Sequence, residues 1–278
     1  MPGLSAADDG PHAPPPGTGP DWRESVSLDW YDPAAGAAAA YRIRVNWARG
    51  GTEVRTWTLT DGTVTSRTSR SGPAGDLADL AGLADRAACG RRTGHLEAGD
   101  VRIRTLRPLR SYAVSLAAGT EVRYTAAADA FRFSMSGQRA DPGGEHYESF
   151  GTVTGTVCEG SRVSRISGRG FYRHWWGVAS PGTHPVQSAR GMFDDDLFFS
   201  VTEFRTAAGS APLGYLFAGG EFHGVEKARF RTQASSGVPR GCDLLIATAD
   251  RRDFRIPGRV AAAARNGPGF ATFDLGRR

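Results

Sequence analysis

Lysine is almost absent from this chain: of 34 basic residues only Lys227 is a lysine, and the rest are arginines. With 37 glycines and abundant alanine, that bias reads as GC-rich coding, so the formal charge of +5 says little about a partner. No basic run exceeds a pair such as Arg91-Arg92 or Arg251-Arg252, and without a basic cluster nucleic acid is disfavoured. Cysteine is equally scarce. Cys89, Cys158 and Cys242 are far apart and lack C-x-x-C spacing, which argues against a disulfide framework or an ordinary zinc site and for buried free thiols. No apolar run is long enough to span a bilayer, and the first residues lack a basic n-region and an apolar h-region. The expectation is a cytoplasmic protein without membrane insertion. H-E-x-x-H, G-x-S-x-G and P-loop patterns are all missing, so His146, His174 and His184 are not expected to hold a metal, and no nucleotide cofactor is expected.

What is present is alternation. In Tyr41-Arg42-Ile43-Arg44-Val45-Asn46-Trp47 apolar and polar side chains alternate, the period of a strand with one packed and one wet face. Val101 to Arg104, Tyr112 to Leu116 and Phe131 to Met135 repeat the pattern, and Asp61-Gly62 and Gly219-Gly220 suit tight hairpin turns. On the order of fifteen to eighteen short strands follow from this count, an all-β architecture of antiparallel barrels or sandwiches. One small barrel of about eight strands cannot hold them. The expected organisation is a disordered Pro-rich tail over residues 1–20, a β-domain over 21–143 and a second over 144–278, meeting near Pro142-Gly143-Gly144. Helical signals are few, the best running from Gly75 to Gly90, with a turn suggested at Ala261 to Arg265. An apolar-lined barrel interior is a natural cavity for a hydrophobic small molecule.

The densest chemistry lies in Gly168-Arg169-Gly170-Phe171-Tyr172-Arg173-His174-Trp175-Trp176-Gly177. Its glycines permit a bend or a close backbone approach, and five aromatic rings then arrive in six positions. Either this is a packed aromatic plug, or it is a pocket wall in which Tyr172, His174 and the indole N–H groups face a ligand and the rings of Phe171, Trp175 and Trp176 supply apolar, cation-tolerant surface. Tyr147, Trp47 and Trp57 are further candidates for such a wall.

This stretch resembles the signature of the AttH-like and carotenoid 1,2-hydratase (hydroxyneurosporene synthase) family, which approximates G-x-G-x-R-D-H-S-W-G. Glu145-His146-Tyr147-Glu148-Ser149-Phe150-Gly151 resembles the family's preceding Tyr-containing segment. Trp22-Arg23-Glu24-Ser25 through Trp30-Tyr31-Asp32-Pro33 resembles its opening strand. Phe193-Asp194-Asp195-Asp196-Leu197 and the Gly214 to Gly220 hairpin extend the likeness, which spans Trp22 to Val260 with the central motif its most specific part. The resemblance implies two lipocalin-like (calycin-type) barrels, no metal or organic cofactor, and polyene, terpenoid or polyketide-like substrates that are hydrated or cyclised, Diels–Alder reactions included.

The chain departs from that pattern at two positions. His174 and Trp176-Gly177 match, but Arg173 stands where the family keeps an acid and Trp175 where it keeps a serine. A guanidinium does not protonate an alkene near neutral pH. Substitute acids are Asp194 in the only acidic run, Glu148 beside Tyr147 with Arg173 as its candidate partner, and Glu24 near Trp22. His12, His95 and His223 read as surface or rim residues. Three functions stay open: a cofactor-independent hydratase or cyclase, with cyclisation favoured by the lost acid; a carrier of a hydrophobic metabolite; and a scaffold plugged by an Arg173–Glu148 pair.

Overall fold

The computed structural model describes residues 4–18, 21–47, 51–60, 62–71, 95–133, 144–159, 161–178, 184–194, 196–206, 209–235, 238–263 and 269–273. The helix expected from Gly75 to Gly90 lies outside them. The chain divides into two units. One comprises Met1–Thr58, Ser66–Ser134 and Gly144–Ala179, and the other comprises Leu59–Thr65, Met135–Gly143 and Ser180–Arg278.

The strands of the first sheet are β1 (Trp22–Asp32), β2 (Ala37–Asn46), β3 (Gly51–Thr60), β4 (Thr63–Ser71), β5 (His95–Ala98), β6 (Val101–Arg107), β7 (Ser111–Leu116), β8 (Glu121–Ala126), β9 (Phe131–Phe133), β10 (Glu145–Glu159) and β11 (Arg162–Val178). They form one antiparallel sheet in the order β4-β3-β2-β1-β11-β10-β8-β7-β6-β5, with β9 added on β10. The sheet curls so that Leu96 of β5 packs on Val45 of β2. Alternate residues of each strand then face one interior, where Leu28, Ile43, Val101, Val114, Tyr124 and Val153 are almost fully buried.

The second unit is a seven-stranded antiparallel meander: β12 (His184–Asp194), β13 (Leu197–Thr206), β14 (Gly209–Ala218), β15 (Glu221–Ser235), β16 (Val238–Thr248), β17 (Asp253–Ala263) and β18 (Gly269–Phe273). Phe199, Val201, Leu216, Leu244, Ile246 and Ile256 form its core. The turn at Gly219-Gly220 joins β14 to β15 with both glycines at positive φ, 61° and 84°, as a type I′ hairpin requires.

The expected boundary at 143/144 is corrected. β10 pairs with β8, and β11 pairs with β1 from Trp22↔Val178 to Tyr31↔Arg169, so the first sheet continues to Val178. The strand that completes the curl is distant in sequence, and its pairing leaves no local signal. The disordered tail is corrected too. Ala6–Asp9 form a 3-10 turn under a capping box, in which Ser5 donates from its backbone N–H (2.7 Å) and hydroxyl (2.9 Å) to the Asp8 carboxylate. Ala261 to Ala263 continue β17 where a helical turn was suggested. Cys158 and Cys242 are free and half-buried, whereas Cys89 lies outside the described residues.

Candidate functional site

Strand alternation decides which residues of the aromatic motif meet. β11 places Tyr172, His174 and Trp176 on the interior face. β10 sets Tyr147 opposite His174 and Ser149 opposite Tyr172, while β1 sets Glu24 opposite Trp176. Gly170, two residues before Tyr172, is open because a Cβ there would strike Val153 and come within 3.2 Å of the Tyr124 ring. The motif's glycine thus serves a close approach of aromatic side chains.

Glu24 and His174 are each 2% exposed and lie 2.7 Å apart, Oε1 to Nε2. The His12 backbone N–H donates to both Glu24 oxygens at 3.2 Å, and the Trp47 indole N–H donates to Oε2 at 3.2 Å. The Trp22 indole in turn donates to the His12 carbonyl at 2.9 Å. Burial alone would raise the Glu24 pKa, but bonding from His12 and His174 and the charge of both rings outweigh it and hold the carboxyl at about 2. Glu24 is therefore a fixed anion and not the missing acid. The His12 ring stacks on Trp176 at 3.8 Å, nearly parallel, and His174 stands edge-on to Tyr147 and Trp176. His12, expected on the surface or rim, is thus part of the site.

A second cluster adjoins the first. Asp9 Oδ1 accepts from the Tyr112 hydroxyl at 2.8 Å and, in a short bond, from the Tyr147 hydroxyl. The two hydroxyls are 3.3 Å apart, and Tyr112 stacks on Tyr172 at 3.7 Å. Oδ2 accepts only from the Leu109 N–H, at 3.2 Å, among the described residues. Burial raises the Asp9 pKa, against the lowering effects of the Tyr147 bond and the His174 charge. It likewise raises Tyr112, Tyr147 and Tyr172 well above the phenolic range, so these hydroxyls stay protonated donors. Asp9 is a largely buried carboxyl that the sequence reading did not single out. A Pro-rich composition masked it, and the Ser5-x-x-Asp8 capping pattern was the signal that could have exposed it.

The other half of the sequence-predicted set lies on the opposite face of the same strands. Phe171 packs on Phe150 at 4.9 Å, and Arg173 sits opposite both Ser27 and Glu148. Trp175 shares this face by alternation, and Glu148 Oε1 is 3.7 Å from His146 Nε2. The reading of Phe171 to Trp176 as one wall is thereby corrected: the period of two splits the run. Trp47 joins the interior cluster through Glu24, and Trp57 is half-buried on β3. Asp194 ends β12, and its side chain lies outside the described residues. His223 is buried and 3.2 Å from Asp250, which corrects its expected surface position.

His12, Glu24 and His174 each bring one potential metal-ligand atom within 4.8 Å of the others. Both Glu24 oxygens already accept N–H donors, from the His12 backbone and from the Trp47 indole just past the end of β2. The donor set thus suits an anion caged by hydrogen bonds better than a cation.

The fold is that of AttH-like, double lipocalin-like proteins. The AttH-like protein NE1406 of Nitrosomonas europaea superposes with a TM-score of 0.63 at 11% identity, covering 91% of this chain and 88% of that one. CghA, solved with Sch210972, gives 0.57 at 13% identity over 91% and 81% of the two chains. Kievitone hydratase from Nectria haematococca gives 0.56 at 12% identity over 90% and 82%. The chain belongs to the DUF7064 family, a domain of unknown function whose profile matches residues 5–269. No curated protein matches it significantly in sequence.

Proposed function

We propose that the first unit is the catalytic part of a cofactor-independent enzyme that takes up a hydrophobic unsaturated substrate, of polyene, terpenoid or polyketide type, and promotes its cyclisation or hydration by protonation. The observation that carries this reading is Asp9: a carboxyl with a raised pKa, bonded by two tyrosines at Oδ1 and left with room for a proton at Oδ2. Asp9 transfers that proton to one alkene carbon, and the positive charge develops on the other. The faces of Trp176 and Tyr172 and the Glu24 carboxylate steady the cation. In hydration, water adds to the cation and its surplus proton returns to Asp9. In cyclisation a second double bond attacks the cation, and a C–H proton returns to Asp9. With Arg173 in the position of the family's acid a proton-free cyclisation gained weight; a protonatable Asp9 shifts the balance back to acid initiation. The folds of CghA and kievitone hydratase support the choice of reaction class without naming a substrate.

The test is turnover of candidate polyenes in heavy water. One deuterium on product carbon, lost together with turnover in folded Asp9→Asn, is the expected result. Conversion without deuterium would refute the protonation step. Ligand quenching of tryptophan fluorescence with no change in ligand mass would make the protein a carrier.

A further inference from the structure

The arginines that look scattered in sequence are gathered by the fold. On the outer face of β6 to β8, Arg107, Arg110 and Arg123 line a depression of about 570 Å³, together with the hydroxyls of Ser111 and Thr125. That volume lies within the range of small-molecule sites. No aspartate or glutamate lines it. Arg107, Ser111 and Thr125 fall in one cross-strand row, and Arg123 lies two residues along β8 on the same face. Neither Arg107 nor Arg123 has a side-chain partner among the described residues, whereas Arg110 pairs with Asp129.

The backbone holds this arrangement. The turn Arg107-Pro108-Leu109-Arg110 is closed by the Arg110 N–H donating to the Arg107 carbonyl at 3.0 Å. Leu109 is held at φ 60°, in the left-handed region that bulky residues avoid. Proline second and a positive φ third are the marks of a type II turn, a role in which glycine would be the easy residue. The strain is tolerated, and the turn fixes Arg107 and Arg110 at its two ends, side by side.

Charge matching selects the ligand class. Three guanidinium groups less the Asp129 carboxylate leave a net +2. A carboxylate ligand would neutralise half of that, whereas a phosphate monoester carries about −1.5 to −2. Guanidinium forks and hydroxyl donors also fit its several equivalent oxygens. We propose that this depression is an oxyanion site for a phosphate monoester or diphosphate group, on the face of the sheet opposite the aromatic interior.

Isothermal titration of the full chain with pyrophosphate and with inorganic phosphate tests it, using chloride-matched buffer. Saturable one-to-one binding is expected, weakened about tenfold in Arg107→Gln and in Arg123→Gln. It should be unchanged in Arg165→Gln, which removes an exposed arginine of β11 outside the depression. Flotation with phosphatidylcholine vesicles carrying phosphatidic acid, set against vesicles of equal charge carrying phosphatidylserine, separates the sources. Capture by phosphatidic acid alone assigns a lipid headgroup, and binding confined to the soluble anions assigns a free phosphate compound. Absence of saturable binding to every probe overturns the proposal, as does an equal loss in all three variants, which would reduce the effect to general charge attraction.

Discussion

Protonating Glu24 should unlock the interior of the first unit, and the size of the effect follows from its surroundings. The carboxyl falls from 4.5 to about 2 on folding. At roughly 1.4 kcal/mol per pKa unit, that shift corresponds to about 3 kcal/mol of stability. Because the folded pKa is depressed, the contribution is fully present above the unfolded value of 4.5 and is lost as pH falls through about 2. Below that point the rings of His12 and His174, with centroids 5.2 Å apart, lose the carboxylate they share. The perturbation is Glu24→Gln, which keeps the size and one carbonyl acceptor but not the charge. All six tryptophans, Trp22, Trp30, Trp47, Trp57, Trp175 and Trp176, belong to the first unit, so urea unfolding followed by tryptophan fluorescence reports on that unit alone. The stability advantage of wild type over the variant should shrink by about 3 kcal/mol between about pH 5 and pH 2. An advantage that stays constant over that window would refute the assignment of Glu24 as the buried counter-ion of His12 and His174.

Asp9 has the opposite sign. Its raised pKa makes the protonated form the one that folding favours, a contribution present at low pH and lost as pH rises through the folded value, so Asp9→Asn should match or exceed wild-type stability at neutral pH while losing turnover. Parallel urea unfolding and product assays check both halves. Gly170→Ala pushes a methyl into Val153 and the Tyr124 ring, and should destabilise the first unit by about 1–3 kcal/mol on the same fluorescence readout. Removing residues 1–18 deletes hydrogen bonds worth on the order of 1 kcal/mol each, but it also lifts the cost of ordering that segment, roughly 1–2 kcal/mol per residue. The melting temperature should therefore change little. Activity should vanish, and the emission of Trp176, freed from the stacked His12 ring, should rise. A large drop in melting temperature would show the segment to be structural.

Much of the fold was legible because strand alternation and turn chemistry are local. Tyr41 to Trp47 announces β2, and Gly219-Gly220 announces the β14–β15 hairpin. The partner of β1 was not legible, since nothing within Trp22–Asp32 specifies pairing with residues more than a hundred positions away. Half of the interior cluster was visible in His174, Tyr172, Trp176 and Tyr147. The rest was hidden for two physical reasons. Alternation sends Phe171, Arg173 and Trp175 to the other face of the strand that carries His174. Asp9 and His12 come from a segment with too little apolar content to declare structure, which folds only because Tyr112, Tyr147, Glu24 and Trp176 give it somewhere to bind.

The docking of that segment also fixes an order of events during synthesis. Asp9 leaves the ribosome 103 residues before Tyr112 and 138 before Tyr147, and Glu24 leaves 150 residues before His174. The acid and its neighbours are thus made early and completed late, only after β11 has paired with β1 and enclosed the tyrosines. A nascent chain, or one stalled before Val178, holds the acid without the environment that tunes it.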